Sequence, residues 1–416
     1  MMLLGIDVGS HKICSLLGES LPGGGVRILG IGHAPASGIR RGEVVHVEDA
    51  AGAIAASIER AERLSGVRAE RAIVGVTGTH LAGQNRDAVI PLGRRPRAVE
   101  QSDMDRALES AGALPLGVER EVLHVLPRAF RLDDGSTVVS PLGMAGYQLA
   151  AEVHIVTASS AALANLRRCL ELAEVGPSEL VMSTLAAGEA TVTADERELG
   201  AFVVDVGTQS TGLACYHEST VIHSAELPIG GRHMTNDLAV MLQVPLAQAE
   251  RIKTTHGHVL PEYDGDDAAI DIVPFGEAQV RSTTRRHVSE VLAARAEELA
   301  VLVMAELERV DLAGRLPAGG ILVGGGTELG GLPRFFYERW GVPVRVGRPM
   351  DVLGLADAAR GPAHAGAVGL LLWHARGVVD AVHLTPAPAP NHSGGAGMAR
   401  ALAWAKQAFL PGRSER

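Results

Sequence analysis

The chain contains 416 residues, of which 46% are hydrophobic and 21% are charged, and its formal net charge is -10. This length exceeds what one hydrophobic core usually organises, so we expect two or more domains. The negative charge argues against nucleic acid as a partner of the main body. The three cysteines form no CxxC pair, which favours a reducing compartment and argues against a cysteine-based metal site.

The N-terminus and the hydropathy indicate where the protein works. An apolar segment begins at residue 3 without a preceding basic region, which is not the pattern of a signal peptide. No apolar stretch reaches the roughly 20 residues of a transmembrane helix. We therefore expect a cytoplasmic protein. Cys14 and Cys215 each fall where a buried strand is expected, which predicts small buried side chains rather than reactive thiols.

Two turns of the form Asp-x-Gly followed by a hydroxyl residue each end a short apolar run. They are Leu3-Leu-Gly-Ile-Asp-Val-Gly-Ser10 and Val203-Val-Asp-Val-Gly-Thr208. The apolar runs predict buried strands, and the glycines allow tight backbone turns. The hydroxyl groups suit a phosphate oxygen or a metal-bound water. Two such turns, each opening one half of the chain, predict a duplicated fold that holds phosphate from both sides.

A glycine-rich strand follows as a third element, with the sequence Gly319-Gly-Ile-Leu-Val-Gly-Gly-Gly-Thr327. Backbone without side chains is needed where a flat base or a ribose approaches closely. The order of the three elements resembles the nucleotide-binding pattern of the actin, Hsp70 and sugar-kinase superfamily. This resemblance implies an α/β fold of two duplicated halves closing on a nucleotide.

The spacing of apolar residues predicts further elements along the chain. Strands are expected at 72–76 and 342–346. Residues 82–157 look like a small α+β insert with a helix over 100–111 capped by Ser102. Two short helices are expected over 235–256, broken at Pro245. The remaining predicted helices cover 48–64, 160–173, 178–193, 279–310 and 363–374.

The composition changes at residue 385, where Pro and Gly predict a flexible linker over 385–397. The tail over 398–416 then carries Arg400, Lys406, Arg413 and Arg416 against Glu415, a net charge of +3. A tethered basic amphipathic helix suits a membrane interface, although a helix docking on the protein itself or on a partner fits the same pattern. The candidate membrane residues are Met398, Arg400, Leu402, Trp404, Lys406, Phe409 and Leu410.

Several strings then match one family closely. The insert contains Arg120-Glu-Val-Leu-His-Val-Leu-Pro127, Pro141-Leu-Gly-Met-Ala-Gly146 and Ala151-Glu-Val-His-Ile-Val-Thr157. These resemble the bacterial cell-division family FtsA, as do the strings at 38–43, 74–78, 249–253 and 362–370. The resemblance covers essentially the whole chain, and the insert strings are its most specific part.

This resemblance implies an actin-like ATP-binding protein that polymerises and tethers filaments of FtsZ to the cytoplasmic membrane. The implied partners are the C-terminal tail of FtsZ, further copies of the chain, an anionic membrane surface and other division proteins. The implied subdomains are 1A over 1–81 and 158–194, the insert 1C over 82–157, 2A over 195–234 and 312–384, and 2B over 235–311. The FtsZ tail is expected to meet the 235–311 region.

The resemblance also implies a set of site residues. One side of the phosphates and Mg²⁺ would be held by Asp7, Gly9, Ser10 and Lys12, and the other by Asp205, Gly207, Thr208 and Ser210. Asp7 and Asp205 would reach the metal through water. Glu250 and Lys253, which are three residues apart on one helix face, would meet the ribose and adenine. The adenosine would lie on Gly324, Gly325 and Gly326.

The chain departs from the family pattern at the second phosphate turn. Thr208 and Gln209 replace two glycines, and Gly212 stands where the pattern has a later Asp. Bulkier side chains at 208 and 209 would hinder close approach of the backbone to the γ-phosphate. Ser183 also lies near the place of a Glu in relatives. We therefore expect ATP binding with weak or absent hydrolysis.

Three other functions fit the superfamily fold. A PilM-like adaptor of pilus assembly shares the core and the insert position, but the basic tail favours FtsA. A sugar or acetate kinase needs a base for the acceptor hydroxyl and a substrate pocket, and we find no motif for either. An Hsp70-type chaperone needs a peptide-binding domain, whereas only a linker and a short tail follow residue 385.

Overall fold

The structure is a computed structural model that describes residues 1–261, 269–276, 279–378 and 380. The predicted linker (385–397) and the tail (398–416), with all the candidate membrane residues, lie outside this range. The first segment forms a sheet with one covering helix, in line with the predicted pair of strands around the Asp7 turn. Its elements are β1 (Met2–Val8), β2 (Lys12–Ser20), β3 (Val26–Pro35), β4 (Ile39–Arg40), β5 (Glu43–Val44), α1 (Val47–Ser65) and β6 (Arg71–Val76).

The insert is a separate α+β unit, as the sequence predicts. Its elements are β7 (Ala82–Pro91), β8 (Arg97–Ala98), α2 (Gln101–Gly112), β9 (Arg120–Leu132), β10 (Thr137–Val138), β11 (Ala145–Gly146) and β12 (Gln148–Ser159). One face of the sheet β10-β9-β12-β7 packs on α2 around Met104, Leu108 and Phe130. The predicted cap of α2 is wrong by two residues, because Glu100 precedes the helix and its backbone N–H donates to Asp103.

The chain then returns to the first half through α3 (Ser160–Leu172), β13 (Gly176–Met182), α4 (Ser183–Thr191) and α5 (Ala194–Leu199). The prediction of one helix over 178–193 is wrong for its first part, because β13 pairs in parallel with β6. Every residue of α4 is buried. A helix buried on all sides has no hydrophobic periodicity, which explains why its start is hard to place from sequence.

The second half repeats the strand-turn-strand arrangement of the first. Its elements are β14 (Ala201–Val206), β15 (Thr211–His217), β16 (Thr220–Leu227), α6 (Gly231–Leu242), α7 (Leu246–His256), β17 (Ala269–Ile272), β18 (Arg281–Thr284), α8 (Arg285–Arg309), β19 (Gly319–Val323), α9 (Leu332–Trp340), β20 (Val344–Val346), β21 (Val352–Gly354), α10 (Ala356–Ala359) and α11 (Ala365–Ala375). The predicted break at Pro245 separates α6 from α7. The helix predicted over 279–310 begins only at Arg285, because residues 281–284 form a strand.

Two sheets organise the halves. Their strand orders are β13-β6-β1-β2-β3-β21 and β16-β15-β14-β19-β20. The predicted boundary put residues 312–384 in the second half, but β21 pairs with β3, and the buried residues of α11 belong to the first core. Helices α4 and α11 pack so closely that a Cβ on Gly369 would lie 1.8 Å from the backbone oxygen of Ala186.

The insert also contacts the second half through polar side chains. The two nitrogens of His154 lie 2.7 Å from Oδ1 of Asn85 and 2.8 Å from Oγ of Ser224. Asn85 donates to the backbone oxygen of Ile222 at 2.9 Å. Burial lowers the pKa of His154 to about 3, so the ring is neutral at pH 7. These contacts hold the insert against strand β16, and all the groups that make them are uncharged.

Asp103 holds the insert helix α2 to the short strand β8 that precedes it. Its carboxylate accepts hydrogen bonds from Arg97 and Arg106, each at 2.6 Å, and from the backbone of Glu100 at 3.0 Å. The Asp103→Asn variant should unfold at a lower temperature at pH 7, since losing a capping contact alone costs about 1 kcal/mol. The control is Asp105→Asn, which changes a carboxylate on the same helix.

The Asp103 effect should depend on pH in one direction. The hydrogen bond from Arg97 holds the pKa of Asp103 well below its usual range. This stabilisation is therefore present above the unfolded pKa of about 3.9 and is lost as the pH falls through the folded pKa. Thermal unfolding should show a smaller difference between wild type and Asp103→Asn at pH 3 than at pH 7. An equal difference at both pH values would contradict this assignment.

Candidate functional site

A cleft of about 550 Å³ lies between the two halves. All thirteen residues predicted to bind nucleotide line it, from both Asp turns, from helix α7 and from the glycine-rich strand end. They are Asp7, Gly9, Ser10, Lys12, Asp205, Gly207, Thr208, Ser210, Glu250, Lys253, Gly324, Gly325 and Gly326. The structure thus brings together residues that the sequence separates by up to three hundred positions.

The first turn presents an acid, a hydroxyl and an ammonium group. Asp7 lies at the end of β1, and its Oδ1 accepts a hydrogen bond from Ser183 at 3.1 Å. The hydroxyl of Ser10 accepts from the backbone N–H of Gly42 at 2.8 Å. The Lys12 ammonium lies 3.4 Å from Nε2 of His364. Among the described residues, no carboxylate lies within ion-pair distance of Lys12, so its charge is available to an anion in the cleft.

The second turn is fixed by the start of helix α6. The backbone oxygen of Gly207 accepts from Gly231 at 2.9 Å, and that of Thr208 accepts from Arg232 at 2.7 Å. The backbone N–H of Gly207 donates to the backbone oxygens of Asp205 at 3.0 Å and Ser210 at 3.1 Å, so these bonds close the turn and fix its shape beside the cleft.

Gln209 connects the two halves across the mouth of the cleft. Its side-chain oxygen accepts a hydrogen bond from the backbone N–H of Arg41 at 2.6 Å. Arg41 belongs to the loop between β4 and β5 and has a φ of 54°, a left-handed conformation. The Gln209 side chain, which is predicted to hinder backbone approach to the γ-phosphate, is thus bonded to the opposite half while it still lines the cleft.

Glu250 and Lys253 form an ion pair on the cleft face of α7, as their spacing predicts. The Lys253 ammonium donates to Glu250 at 2.9 Å, to Thr235 at 2.9 Å and to the backbone oxygen of Gly231 at 3.1 Å. Burial alone would raise the pKa of Glu250, but the hydrogen bonds from Lys253 and Thr235 outweigh it and lower the pKa. The carboxylate is therefore ionised and able to accept from hydroxyl groups.

Two of the three glycines after β19, Gly324 and Gly326, are required by close approach of the backbone to the second turn. Gly324 has a φ of 85°, and a Cβ there would lie 2.3 Å from Oδ1 of Asp205. A Cβ on Gly326 would lie 2.5 Å from Cγ1 of Val206. Any side chain at either position would collide with the second turn. Gly324 and Gly326 thus pack against the second turn, and all three glycines line the cleft with backbone alone.

Three acidic side chains face the cleft with raised pKa values. Burial raises the pKa of Asp7. Burial, and then the charge of Asp7, raises that of Asp205 to about 7. Burial and the charge of Asp205 raise that of Glu226 to about 8. Acids that raise one another's pKa in one cleft form a favourable environment for a cation.

Glu226 and His364 also line this cleft, and sequence reasoning did not identify them. Glu226 lies in an ordinary strand, and His364 lies in a short 3-10 helix before α11. Cys14, His33 and His364 place possible metal-ligand atoms within 4.8 Å of one another. The Lys12 ammonium already contacts His364, so a positive charge lies next to that cluster. No pattern in the sequence indicated this cluster, because Cys14, His33 and His364 come from three separate elements of the fold.

Comparison with known families identifies the chain. A family model described as cell division protein FtsA matches residues 202–369, and a model of the SHS2 domain inserted in that protein matches residues 78–157. The chain is 34% identical to the cell division protein FtsA of Pseudomonas aeruginosa over 89% of each chain. The chain belongs to the FtsA family. The matched insert agrees closely with the insert predicted over 82–157, and the kinase and chaperone alternatives lose their support.

Solved structures show the same fold at lower identity. A PilM-PilN type IV pilus biogenesis complex matches with a TM-score of 0.63 and 19% identity, over 89% of this chain and 97% of that one. MreB5 of Spiroplasma citri bound to ADP matches with a TM-score of 0.55 and 12% identity, over 89% and 95%. At these identities the likeness confirms the actin-like fold alone. Among the described residues of this FtsA-family chain, the helices are too short or too polar to cross a bilayer.

Proposed function

We propose that the chain is an ATP-binding, actin-like division protein that polymerises and tethers FtsZ filaments to the cytoplasmic face of the membrane at the septum. The observation that carries this proposal is the convergence of all thirteen predicted nucleotide residues on one cleft, in a chain that belongs to the FtsA family. A PilM-like role rests on a fold likeness only.

The cleft fits an adenine nucleotide with Mg²⁺. Gly324, Gly325 and Gly326 line the cleft with backbone alone, and a Cβ on Gly325 would meet no protein atom closer than 3.9 Å, which leaves room for a flat adenosine group. Ser10 and Lys12 on one side, with Gly207, Thr208 and Ser210 on the other, would hold the phosphates. Asp7 and Asp205 would accept hydrogen bonds from water on the metal. When bound, Mg²⁺ would neutralise phosphate charge and also the mutual repulsion of these acids.

The protein binds ATP in this proposal but turns it over slowly. Ser183 donates to Asp7 at 3.1 Å, so the position next to the first acid holds a hydroxyl rather than a second carboxylate. A hydroxyl is a much weaker general base than a carboxylate, which disfavours activation of an attacking water. Rapid Mg²⁺-dependent phosphate release from purified protein would overturn this part of the proposal.

The remaining contacts follow the family pattern. The basic tail over 398–416 binds an anionic membrane surface, and the linker over 385–397 gives it reach. The FtsZ tail docks on the 235–311 region, further copies of the chain add head to tail, and other division proteins bind the insert. Asp380, the last residue that the structure describes, contacts His124 and accepts a hydrogen bond from the backbone N–H of Val125 at 2.8 Å.

A direct binding experiment tests the FtsZ contact. A fluorescent peptide with the sequence of an FtsZ C-terminal tail should show increased anisotropy on titration with the full chain. A scrambled peptide of the same composition is the control. Equal binding of both peptides, or of neither, would overturn the FtsZ assignment while leaving the nucleotide assignment untouched.

Gln209 should slow nucleotide release by holding the halves together. The Gln209→Ala variant should release a fluorescent ATP analogue about fivefold faster, because a neutral hydrogen bond contributes about 1 kcal/mol. Stopped-flow displacement measures this rate. The control is Gln101→Ala, which removes a glutamine hydrogen-bonded to Asp105 in the insert. Slower release from Gln209→Ala would mean that the side chain obstructs the phosphate site instead.

A further inference from the structure

In each half, the acid of the Asp-Gly turn belongs to a row of three residues that lie directly opposite one another on neighbouring strands. In the first half, Asp7 pairs with Cys14, and Cys14 pairs with His33. In the second half, Asp205 pairs with Gly212, and Gly212 pairs with Glu226. Residues directly opposite on neighbouring strands point to the same face of the sheet. Asp205 and Glu226 therefore lie on one face at the same level, with a glycine between them.

The glycine between the two acids leaves room that other side chains use. A Cβ on Gly212 would lie 1.8 Å from the hydroxyl of Thr184 and 3.0 Å from Oε1 of Glu226. The Thr184 hydroxyl donates to that oxygen at 3.5 Å. Position 212 is where the family pattern has an acid, and no side chain fits there in this chain. Glu226 reaches over the glycine from the next strand.

The Ser210 hydroxyl and the backbone N–H of Gly78 lie near the Glu226 carboxylate, but they do not satisfy both of its oxygens. Oε2 of Glu226 is buried and makes no hydrogen bond of normal geometry with the described residues, and the side chain lines the cleft together with Asp205 and Ser210. A buried polar atom without a partner is rare in folded proteins and indicates a missing water, ion or ligand. The cleft between Glu226 and Asp205 is where that partner would lie.

We propose that Glu226 is a positioning residue for the nucleotide-bound metal, and that its carboxylate accepts hydrogen bonds from the water shell of Mg²⁺ in place of the acid absent at position 212. The inference rests on the proposed nucleotide function. Glu has a longer side chain than the Asp of the family pattern, which compensates for β16 lying one strand further along the sheet than β15. The second phosphate turn thus keeps two acidic groups although its own sequence has lost one.

The test measures how strongly nucleotide affinity depends on Mg²⁺. The full chain is titrated with a fluorescent ATP analogue in excess Mg²⁺ and in EDTA, and the ratio of the two Kd values is compared. Glu226→Gln should reduce this ratio about tenfold, the size expected for a charged hydrogen bond. Its Kd in EDTA should be close to that of the wild type, since the proposed role of Glu226 requires the metal.

The control is Glu198→Gln, which removes an exposed carboxylate bonded to Ser219 in the turn between β15 and β16 and should keep the wild-type ratio. The unfolding temperature of unliganded Glu226→Gln should not fall, because Oε2 makes no hydrogen bond of normal geometry in the folded protein. A wild-type ratio in a folded Glu226→Gln variant overturns the proposal, as does a wild-type affinity that is independent of Mg²⁺. Absence of nucleotide binding by the wild type would instead overturn the proposed function itself.

Discussion

The Lys12→Met variant should bind ATP about 10- to 100-fold more weakly than the wild type. The Lys12 ammonium lines the cleft and contacts a neutral nitrogen of His364 rather than a carboxylate. Burial and the charge of Lys12 lower the pKa of His364 to about 4, so the histidine does not share the positive charge at pH 7. A charge-assisted hydrogen bond contributes about 1.5–3 kcal/mol, and each 1.4 kcal/mol is tenfold in affinity.

Equilibrium titration with a fluorescent ATP analogue measures the Lys12 effect. The matched control is Arg27→Gln, which removes a cation from the neighbouring strand β3, where Arg27 pairs with Glu19 at 2.8 Å. The control should keep wild-type affinity. An affinity within twofold of the wild type for a folded Lys12→Met protein would mean that the phosphates do not lie at the first turn.

Removing residues 398–416 should abolish membrane binding and leave the folded body intact. The tail contributes four basic residues and both Trp404 and Phe409, and each basic residue near an anionic surface is worth about 1 kcal/mol. The partition coefficient onto anionic liposomes should fall at least about 100-fold. The fold should persist because Asp380, bonded to His124, lies well before the cut.

Sedimentation with liposomes measures the loss, and circular dichroism of the 1–397 protein checks the fold. The matched variant Arg400→Gln/Lys406→Gln keeps the tail length and its aromatic residues. It should bind less than the wild type but more than the truncated protein. Raising the ionic strength should weaken wild-type binding, because the basic residues act through a screened field. Equal pelleting of full and truncated chains would assign the tail to docking on protein instead.

The local motifs predicted much of the cleft, and the reason is physical. Each Asp-Gly turn is a strand end followed by a turn, so its shape depends on a few adjacent residues around Asp7 or Asp205. Because the two halves repeat the same strand-turn-strand arrangement, the fold brings both turns to one cleft. Glu226 was missed because its place beside the cleft depends on register across three strands. The only local hint was Gly212, which lacks the acid of the family pattern.

Elements buried on all sides were the hardest to predict. The start of α4 at Ser183 was missed because the buried residues Val181 and Met182 at the end of β13 lead directly into a helix that is buried throughout. The return of β21 and α11 to the first sheet was also missed, since nothing local in residues 352–375 specifies which sheet they join. The small residues of α11, such as Gly366 beside Asp7, make sense only against α4 and the first turn.

The most direct test is recruitment of fluorescent FtsZ to anionic liposomes by the full chain in the presence of ATP and Mg²⁺. We expect FtsZ on the liposomes with the wild type, and none with the 1–397 protein or without the chain. The Lys12→Met variant should recruit less FtsZ at limiting ATP. A chain that binds the liposomes and ATP but leaves FtsZ in solution would contradict the tether, and a PilM-like adaptor would then be the better explanation.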